Sequence, residues 1–375
     1  SSAASDVYKR QDQKERIPRS YSTQMQVMIN TLNDIRTSDK QISGTHGIGV
    51  LMANSLMFQR FPDHNGYDDP QFSSFYGQTL PLLKRGIPVE LVHMENTPFK
   101  DTFNGLQVLV MSYSNMKPMK SEYHNYLADW VKKGGTLVYC GEDVDPYQTV
   151  LEWWNTEGNA YKAPSEHLFE AMGLSRNPGD GTYRFGKGTV IVMREDPKHF
   201  VLKGGNDRKY FETIASAYES KTGKKIEIKN NFMVERGPYT IAAVMDESSS
   251  KEPLKLSGLY IDLFDKDLPI LTVKQINPGE QGYLYDLNKV LGKVKAKVLC
   301  GASRIYDEKV GKQSYSFVAK SPLHTTNVSR VLLPRKPGKV LVNGKAEQPE
   351  WDESSKTLLL SFENDPAGVN VSIEW

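Results

Sequence analysis

The densest run of reactive side chains is Cys140-Gly141-Glu142-Asp143-Val144-Asp145-Pro146, where a thiol is followed by three carboxylates. Carboxylates this close together can hold a cation or accept hydrogen bonds from sugar hydroxyls. The plainer reading is a solvated acidic loop that caps the helix after it, since negative side chains favour a helix N-terminus. Glu142, Asp143 and Asp145 are taken as candidate substrate or interface contacts. Cys140 would be a nucleophile only if a tight strand-to-helix turn exposed it and a histidine activated it. That turn wants a glycine two residues earlier, where Val138 stands, and Glu166-His167 is the only acid and histidine pair nearby. Cys140 therefore reads as a buried strand-end residue, and no catalytic residue is assigned to the chain.

Other candidates carry less. Gly44-Thr45-His46-Gly47-Ile48-Gly49 precedes and enters a strand, whereas a dinucleotide-binding glycine run must follow one. Gly186-Lys187-Gly188 reads as a hairpin turn. The seven histidines lack metal-ligand spacing, so neither a metal nor a cofactor is expected. Trp153-Trp154 could stack on a sugar, although paired aromatics more often serve a core or an interface. Asp262, Asp265 and Asp267 beside Phe264 have acid and base chemistry, in a turn-rich setting that favours a structural role.

The elements that must position these side chains follow from the apolar pattern. Ile48 to Ala53 is nearly continuous in apolar residues, as expected of a parallel strand covered on both faces. Pro70 to Arg85 reads as a helix ended by Gly86, with a kink or early break at Pro81. Val89 to His93 and Leu106 to Ser112 are the next strands. Ser121 caps a helix carrying Tyr123, Leu127, Trp130 and Val131, closed by Gly134-Gly135, and Thr136 to Cys140 is the fourth strand. The second half of Val150 to Leu174 is helical, Gly188 to Arg194 is another strand, and Asp207 to Glu219 is the last helix. Alternation with short links predicts a Rossmann or flavodoxin-like α/β domain over residues 39–223. Ligands of such sheets bind beyond the carboxyl ends of the strands, which selects Asn54, Ser55, Ser112, Tyr113 and the loop from Cys140 to Asp145.

From Lys224 the period becomes two: Tyr239, Ile241, Ala243 and Met245 share a face, as do Tyr315, Phe317 and Ala319, and Leu358, Leu360 and Phe362. Asn343-Gly344 is a two-residue hairpin signal. Residues 224–375 are therefore expected to form a β-sandwich region, divisible near Gly292. Upstream, Met25, Met28, Ile29, Leu32 and Ile35 recur at helical spacing; this helix, in residues 12–38, is expected to pack on and link to a domain before it. Asp6 to Gln11 resembles the translation of a transposon-end sequencing adapter, so residues 1–11 are set aside as a non-native scar and the chain is read as a metagenomic fragment.

Over 375 residues, 38% apolar and 25% charged side chains give the balance of a folded soluble protein. The 47 basic and 45 acidic residues leave a charge of only +2, so no overall field draws in nucleic acid or an anionic membrane. No apolar run approaches the roughly 18 to 20 residues that span a bilayer. Cys140 and Cys300 lie far apart, which argues against a disulfide framework. Bacterial cytoplasm, periplasm and secretion all suit this composition.

Leu106-Gln107-Val108-Leu109-Val110 with Ser112-Tyr113, then Leu127-Ala128-Asp129-Trp130-Val131-Lys132-Lys133-Gly134-Gly135-Thr136-Leu137-Val138, resembles the post-barrel portion of β-galactosidases with a trimerisation domain. There a catalytic (β/α)8 barrel is followed by a class I glutamine amidotransferase-like domain and a smaller β-domain. The resemblance covers Ile48 to about Arg194, and the β-region here is longer than the tail of those enzymes. It implies a non-catalytic assembly region of a glycoside hydrolase, carbohydrate bound through a barrel outside this chain, and a homo-oligomer, in that family a trimer. It also implies that Met57-Phe58-Gln59-Arg60 meets a barrel mouth or a neighbouring subunit, which adds Gln59 and Arg60 as candidate contacts. The alternatives are a carbohydrate-binding module using Trp351, Tyr283 or Tyr285, and a hydrolase using Cys140.

Overall fold

The computed structural model describes residues 18–35, 39–58, 72–202 and 206–375. The chain divides into two compact units. One comprises residues 1–42, 233–246 and 252–375, and the other residues 43–232 and 247–251. The first unit begins with helix α1 (Arg19–Ile35) and strand β1 (Lys40–Ile42), after which the chain enters the second.

The second unit is built on a six-stranded sheet: β2 (Ile48–Met52), β3 (Glu90–His93), β4 (Val108–Met111), β5 (Thr136–Cys140), β6 (Gly181–Phe185) and β7 (Gly188–Met193). The order is β3-β2-β4-β5-β7-β6; every pairing is parallel except β6 with β7. Every residue of β4 and β5 is buried, because helices cover both faces and alternate side chains enter separate cores. Leu51, Leu109, Met111, Leu137 and Tyr139 pack with α3 (Tyr123–Lys132) and α4 (Pro164–Ala171). Ile48, Val50, Val108, Val110, Val138 and Cys140 pack with α2 (Ser73–Leu83), α5 (His199–Leu202) and α6 (Asp207–Thr222). Full burial of each such leucine or isoleucine contributes about 1.5–3 kcal/mol.

Two local expectations are corrected. Helix α2 runs through Pro81, which sits in its final turn, so the missing N–H disrupts little downstream helix. Lys84 N–H still donates to Leu80 O at 2.9 Å, and Arg85 Nη1 donates to Pro81 O at 2.6 Å. Gly77 of α2 lies so close to the turn before α5 that a Cβ there would be 1.8 Å from Pro197 O. Strand β6 was not read, although the turn at Gly186-Lys187-Gly188 was; β6 forms a hairpin with β7 through Gly186, at φ +58°.

The first unit holds three antiparallel sheets. One has the order β1-β8-β9-β12-β10-β11, with β8 (Asn231–Arg236), β9 (Tyr239–Val244), β10 (Leu254–Asp262), β11 (Ile270–Ile276) and β12 (Gln281–Asp286). The others form a β-sandwich. One layer is β13 (Lys297–Gly301), β16 (Thr326–Leu332), β20 (Thr357–Glu363) and β19 (Glu350–Asp352). The second layer is β14 (Arg304–Val310), β15 (Ser314–Lys320), β21 (Val369–Glu374), β17 (Lys339–Val342) and β18 (Lys345–Ala346). Tyr315, Phe317, Val331, Leu358, Val371 and Ile373 fill the space between layers. The β17–β18 turn is Asn343-Gly344, both left-handed at φ +48° and +78°, the requirement of a tight hairpin.

Helix α1 packs on β-structure of its own unit. Val27 and Ile35 enter a core with Ile261, Leu299, Val328 and Leu332. Thr23 Oγ1 donates to Thr326 O at 3.0 Å, and Asn30 Nδ2 to Gly301 O at 2.9 Å. Thr23, Val27, Thr31 and Ile35 form the buried stripe, whereas Met25, Ile29 and Leu32 remain 38%, 37% and 54% exposed.

Candidate functional site

In the α/β unit the strand order reverses between β2 and β4: the chain leaves β2 toward β3 on one side and returns to β4 on the other. Ligands of such sheets usually bind outside the strand ends at that reversal. Ser55 follows β2, and Ser112 to Lys117 follow β4. Ser55 Oγ donates to Lys117 O at 2.6 Å and accepts from Lys117 N–H at 2.8 Å, tying the loops together.

Asp145, beyond β5, is the hub. Its Oδ2 accepts from Lys117 Nζ at 2.7 Å, from Asn115 N–H at 3.2 Å and from Gln148 Nε2 at 3.3 Å. Its Oδ1 accepts from Tyr147 N–H at 3.0 Å and caps the 3-10 turn Pro146–Thr149. Lys117 also donates to Tyr113 O at 2.5 Å. Burial lowers the Lys117 pKa, against the opposing pull of Asp145. The network continues from Asn115 Nδ2 to Ser74 Oγ at 3.2 Å and from Ser74 Oγ to Asp196 at 3.3 Å. Gln78 Nε2 donates to Ser74 O at 3.1 Å. In Gln78, Asn115 and Gln148 the amide nitrogen is committed, while the buried carbonyl oxygen meets no donor. Three unmet acceptors in one network suit a ligand or water that brings O–H or N–H groups.

The other acidic residues of the loop go elsewhere. Asp143, left-handed at φ +59°, accepts from Tyr139 Oη, from Ser165 Oγ at 2.7 Å and from Arg194 Nη1 at 2.7 Å. Glu142 is exposed. The three carboxylates therefore diverge, and no metal-binding group occurs among the described residues. Gln59 and Arg60 lie outside the described residues.

Beside this network lies a histidine pair. His124 Nε2 is 2.6 Å from Tyr113 Oη and its Nδ1 is 2.8 Å from His167 Nδ1. Trp153 stands edge-on to both rings and anchors itself through Nε1 to Pro118 O at 2.9 Å. Burial, then His167, hold His124 well below the usual histidine range. Burial lowers His167 as well. Both rings are thus neutral near pH 7, one donating to the other.

Cys140 is fully buried in the α2/α6 core. Burial pushes its thiol up, and the charges that act on it, Glu195 and Asp180, push the same way. An activated thiol needs the opposite surroundings. Trp154 is buried, with Nε1 donating to Gln148 O at 3.2 Å. Tyr283 and Tyr285 are buried in the β-core, so neither offers the platform expected of it. Asp262 pairs with Lys274 at 2.6 Å and caps Phe264 N–H, and Asp265 accepts from Asp267 N–H at 2.9 Å, all turn-stabilising contacts.

Sequence reasoning located Asp145 but missed Lys117, Asn115, Gln148, Ser74 and Gln78. The available signal was Asn115-Met116-Lys117-Pro118 directly after a buried strand. His124 could have been found as the polar member of the α3 face formed with Tyr123, Leu127, Ala128 and Val131.

No protein-family model and no curated protein matches the chain. Among solved structures, a β-galactosidase from Bacillus circulans sp. alkalophilus aligns with 65% of this chain and 42% of its own, at 10% identity and TM-score 0.40. A polyextremophilic β-galactosidase from the haloarchaeon Halorubrum lacusprofundi aligns with 65% and 40%, at 14% identity and TM-score 0.36. An α-L-fucosidase isoenzyme from Paenibacillus thiaminolyticus aligns with 89% and 49%, at 9% identity and TM-score 0.31. The chain spans less than half the length of each of these proteins.

Proposed function

We propose that this chain is a non-catalytic assembly region of a glycoside hydrolase, its α/β unit an amidotransferase-like domain without a working nucleophile. The observation that carries the reading is the state of Cys140. It ends β5 within the strand, away from any turn that would expose a thiolate, and it is sealed in the core and surrounded by influences that keep the proton on sulfur. The sequence resemblance around Leu106 to Val138 supplies the glycoside hydrolase context. On this reading the loop bearing Gln59 and Arg60 meets a barrel mouth or a neighbouring subunit, and the α/β unit carries the trimer contacts.

Thiol labelling tests the central point. Native protein should leave Cys140 unmodified by an aromatic disulfide reagent, and denaturant should release both thiols. Rapid native labelling of Cys140, with loss of a glutaminase or hydrolase activity, overturns the reading. Light scattering tests the assembly role: a monomer at all concentrations removes it.

A further inference from the structure

In the first unit, the C-terminal half of α1, the strand β13 and the edge strand β14 enclose an open groove of about 610 Å³. Ligand clefts commonly measure about 300–1,000 Å³. Its floor is Leu299, Cys300 and Gly301, held from below by the core that receives Val27 and Ile35. One wall carries Asn30, Asn33 and Asp34, the other Arg304, Tyr306 and Glu308. We propose that this groove binds a short neutral oligosaccharide, with the Tyr306 ring as the stacking platform. The ligand class rests on the carbohydrate reading above; the location rests on the groove alone.

Three observations select that chemistry. The groove mixes acceptors and donors, and its lining holds Asp34 and Glu308 with Arg304 and Lys297, so two negative and two positive groups cancel and no charged ligand is favoured. Sugar hydroxyls both donate and accept, and asparagine amides answer both roles. Tyr306 keeps 44% of its surface exposed; Lys320 Nζ stands 5.4 Å from its ring centroid on one face, so the apolar C–H face of a pyranose would take the other. The polar groups are also held in place before any ligand arrives. Tyr239 Oη donates to Asp34 Oδ2 at 2.7 Å, Tyr315 Oη to Glu308 Oε1 at 2.6 Å, and Asn30 Nδ2 to Gly301 O. The rim is irregular where the platform sits: β14 shifts register between Tyr306 and Lys309, and Asp307 adopts φ +50°. Bulges of this kind recur where a strand re-aims side chains toward a site.

The test is calorimetric titration of the whole chain with short gluco-, galacto-, manno- and xylo-oligosaccharides, alongside a uronic-acid oligosaccharide. At least one neutral oligosaccharide should bind with Kd below about 1 mM. Tyr306→Ala should weaken that binding by about tenfold or more, Tyr306→Phe should retain it, and Phe99→Ala, at an exposed aromatic outside the groove, should leave it unchanged. Matching far-ultraviolet spectra and melting curves would show each variant folded. No binding by any neutral member, binding restricted to the uronic acid, or binding that survives Tyr306→Ala overturns the proposal. A chain that binds no sugar but keeps an unreactive Cys140 and assembles loses the groove and retains the assembly role; a reactive Cys140 in a sugar-binding chain does the reverse.

Discussion

Lys117 places its ammonium 2.7 Å from the Asp145 carboxylate, with side-chain exposures of only 10% and 2%. Removing one partner strands the other charge out of water. Lys117→Met is expected to cost about 3–5 kcal/mol, whereas replacing both by apolar residues of similar volume costs much less. Urea unfolding of Lys117→Met, Asp145→Leu and the double variant measures this; a loss in the double variant equal to the sum of the two single losses would show that the pair carries no coupling.

The histidine pair makes stability depend on pH. His124 is held below its unfolded value by burial and by His167, so the unfolded chain binds a proton that the folded chain refuses. Stability is then full above the unfolded pKa of about 6.5 and falls as pH drops toward the folded value, by up to about 1.4 kcal/mol per pH unit for one site. Urea midpoints between about pH 7 and about pH 5 should fall for the native chain and flatten for His124→Gln. A native profile that rises on acidification contradicts the assignment.

Gly77 is required by space. A methyl group there would overlap Pro197 O, a backbone atom that cannot swing aside. Gly77→Ala should therefore destabilise by about 1–3 kcal/mol or more, although alanine is the better helix former. Gly105→Ala is a poor control because of its positive φ, so Leu80→Ala, at an exposed position of the same helix, serves instead. A thermal melt in which Gly77→Ala matches or exceeds the native chain would refute the close approach.

The two stripes of α1 are separable by mutation. Val27→Ala removes buried apolar contact and should cost about 1–2 kcal/mol. Leu32→Gln, on the exposed stripe, should stay within about 0.5 kcal/mol of the native chain. Chemical denaturation compares them, and a larger loss at Leu32 would place the helix the other way round.

These contrasts explain what the sequence could disclose. Strands β2, β4 and β5 were readable because burial on both faces forces a near-continuous apolar run, and Asn343-Gly344 because its dihedral demands admit few residues. Helix α1 was legible as a helix, but the face it packs on its own unit was not, because that stripe uses Thr23 and Thr31, whose hydroxyls find backbone carbonyls, while its more apolar stripe faces outward. Strand β6 alternates between half-buried and exposed positions, which weakens any period. Lys117 was hidden for a different reason: a lysine reads as surface unless its carboxylate partner is known, and Asp145 lies in another loop. Asp145 itself was legible as a cap, but its role as a hub depends on Asn115, Lys117 and Gln148 meeting it in space.

The interruption of the first unit by the second has a consequence during synthesis. Thr23 and Asn30 find their partners 303 and 271 positions later. At roughly 5–20 residues per second, α1 leaves the ribosome tens of seconds before the strands it docks on exist, whereas the parallel sheet between them is already complete. Val27 and Ile35 therefore wait for their core partners Ile261, Leu299, Val328 and Leu332 until the chain beyond the parallel sheet has been made.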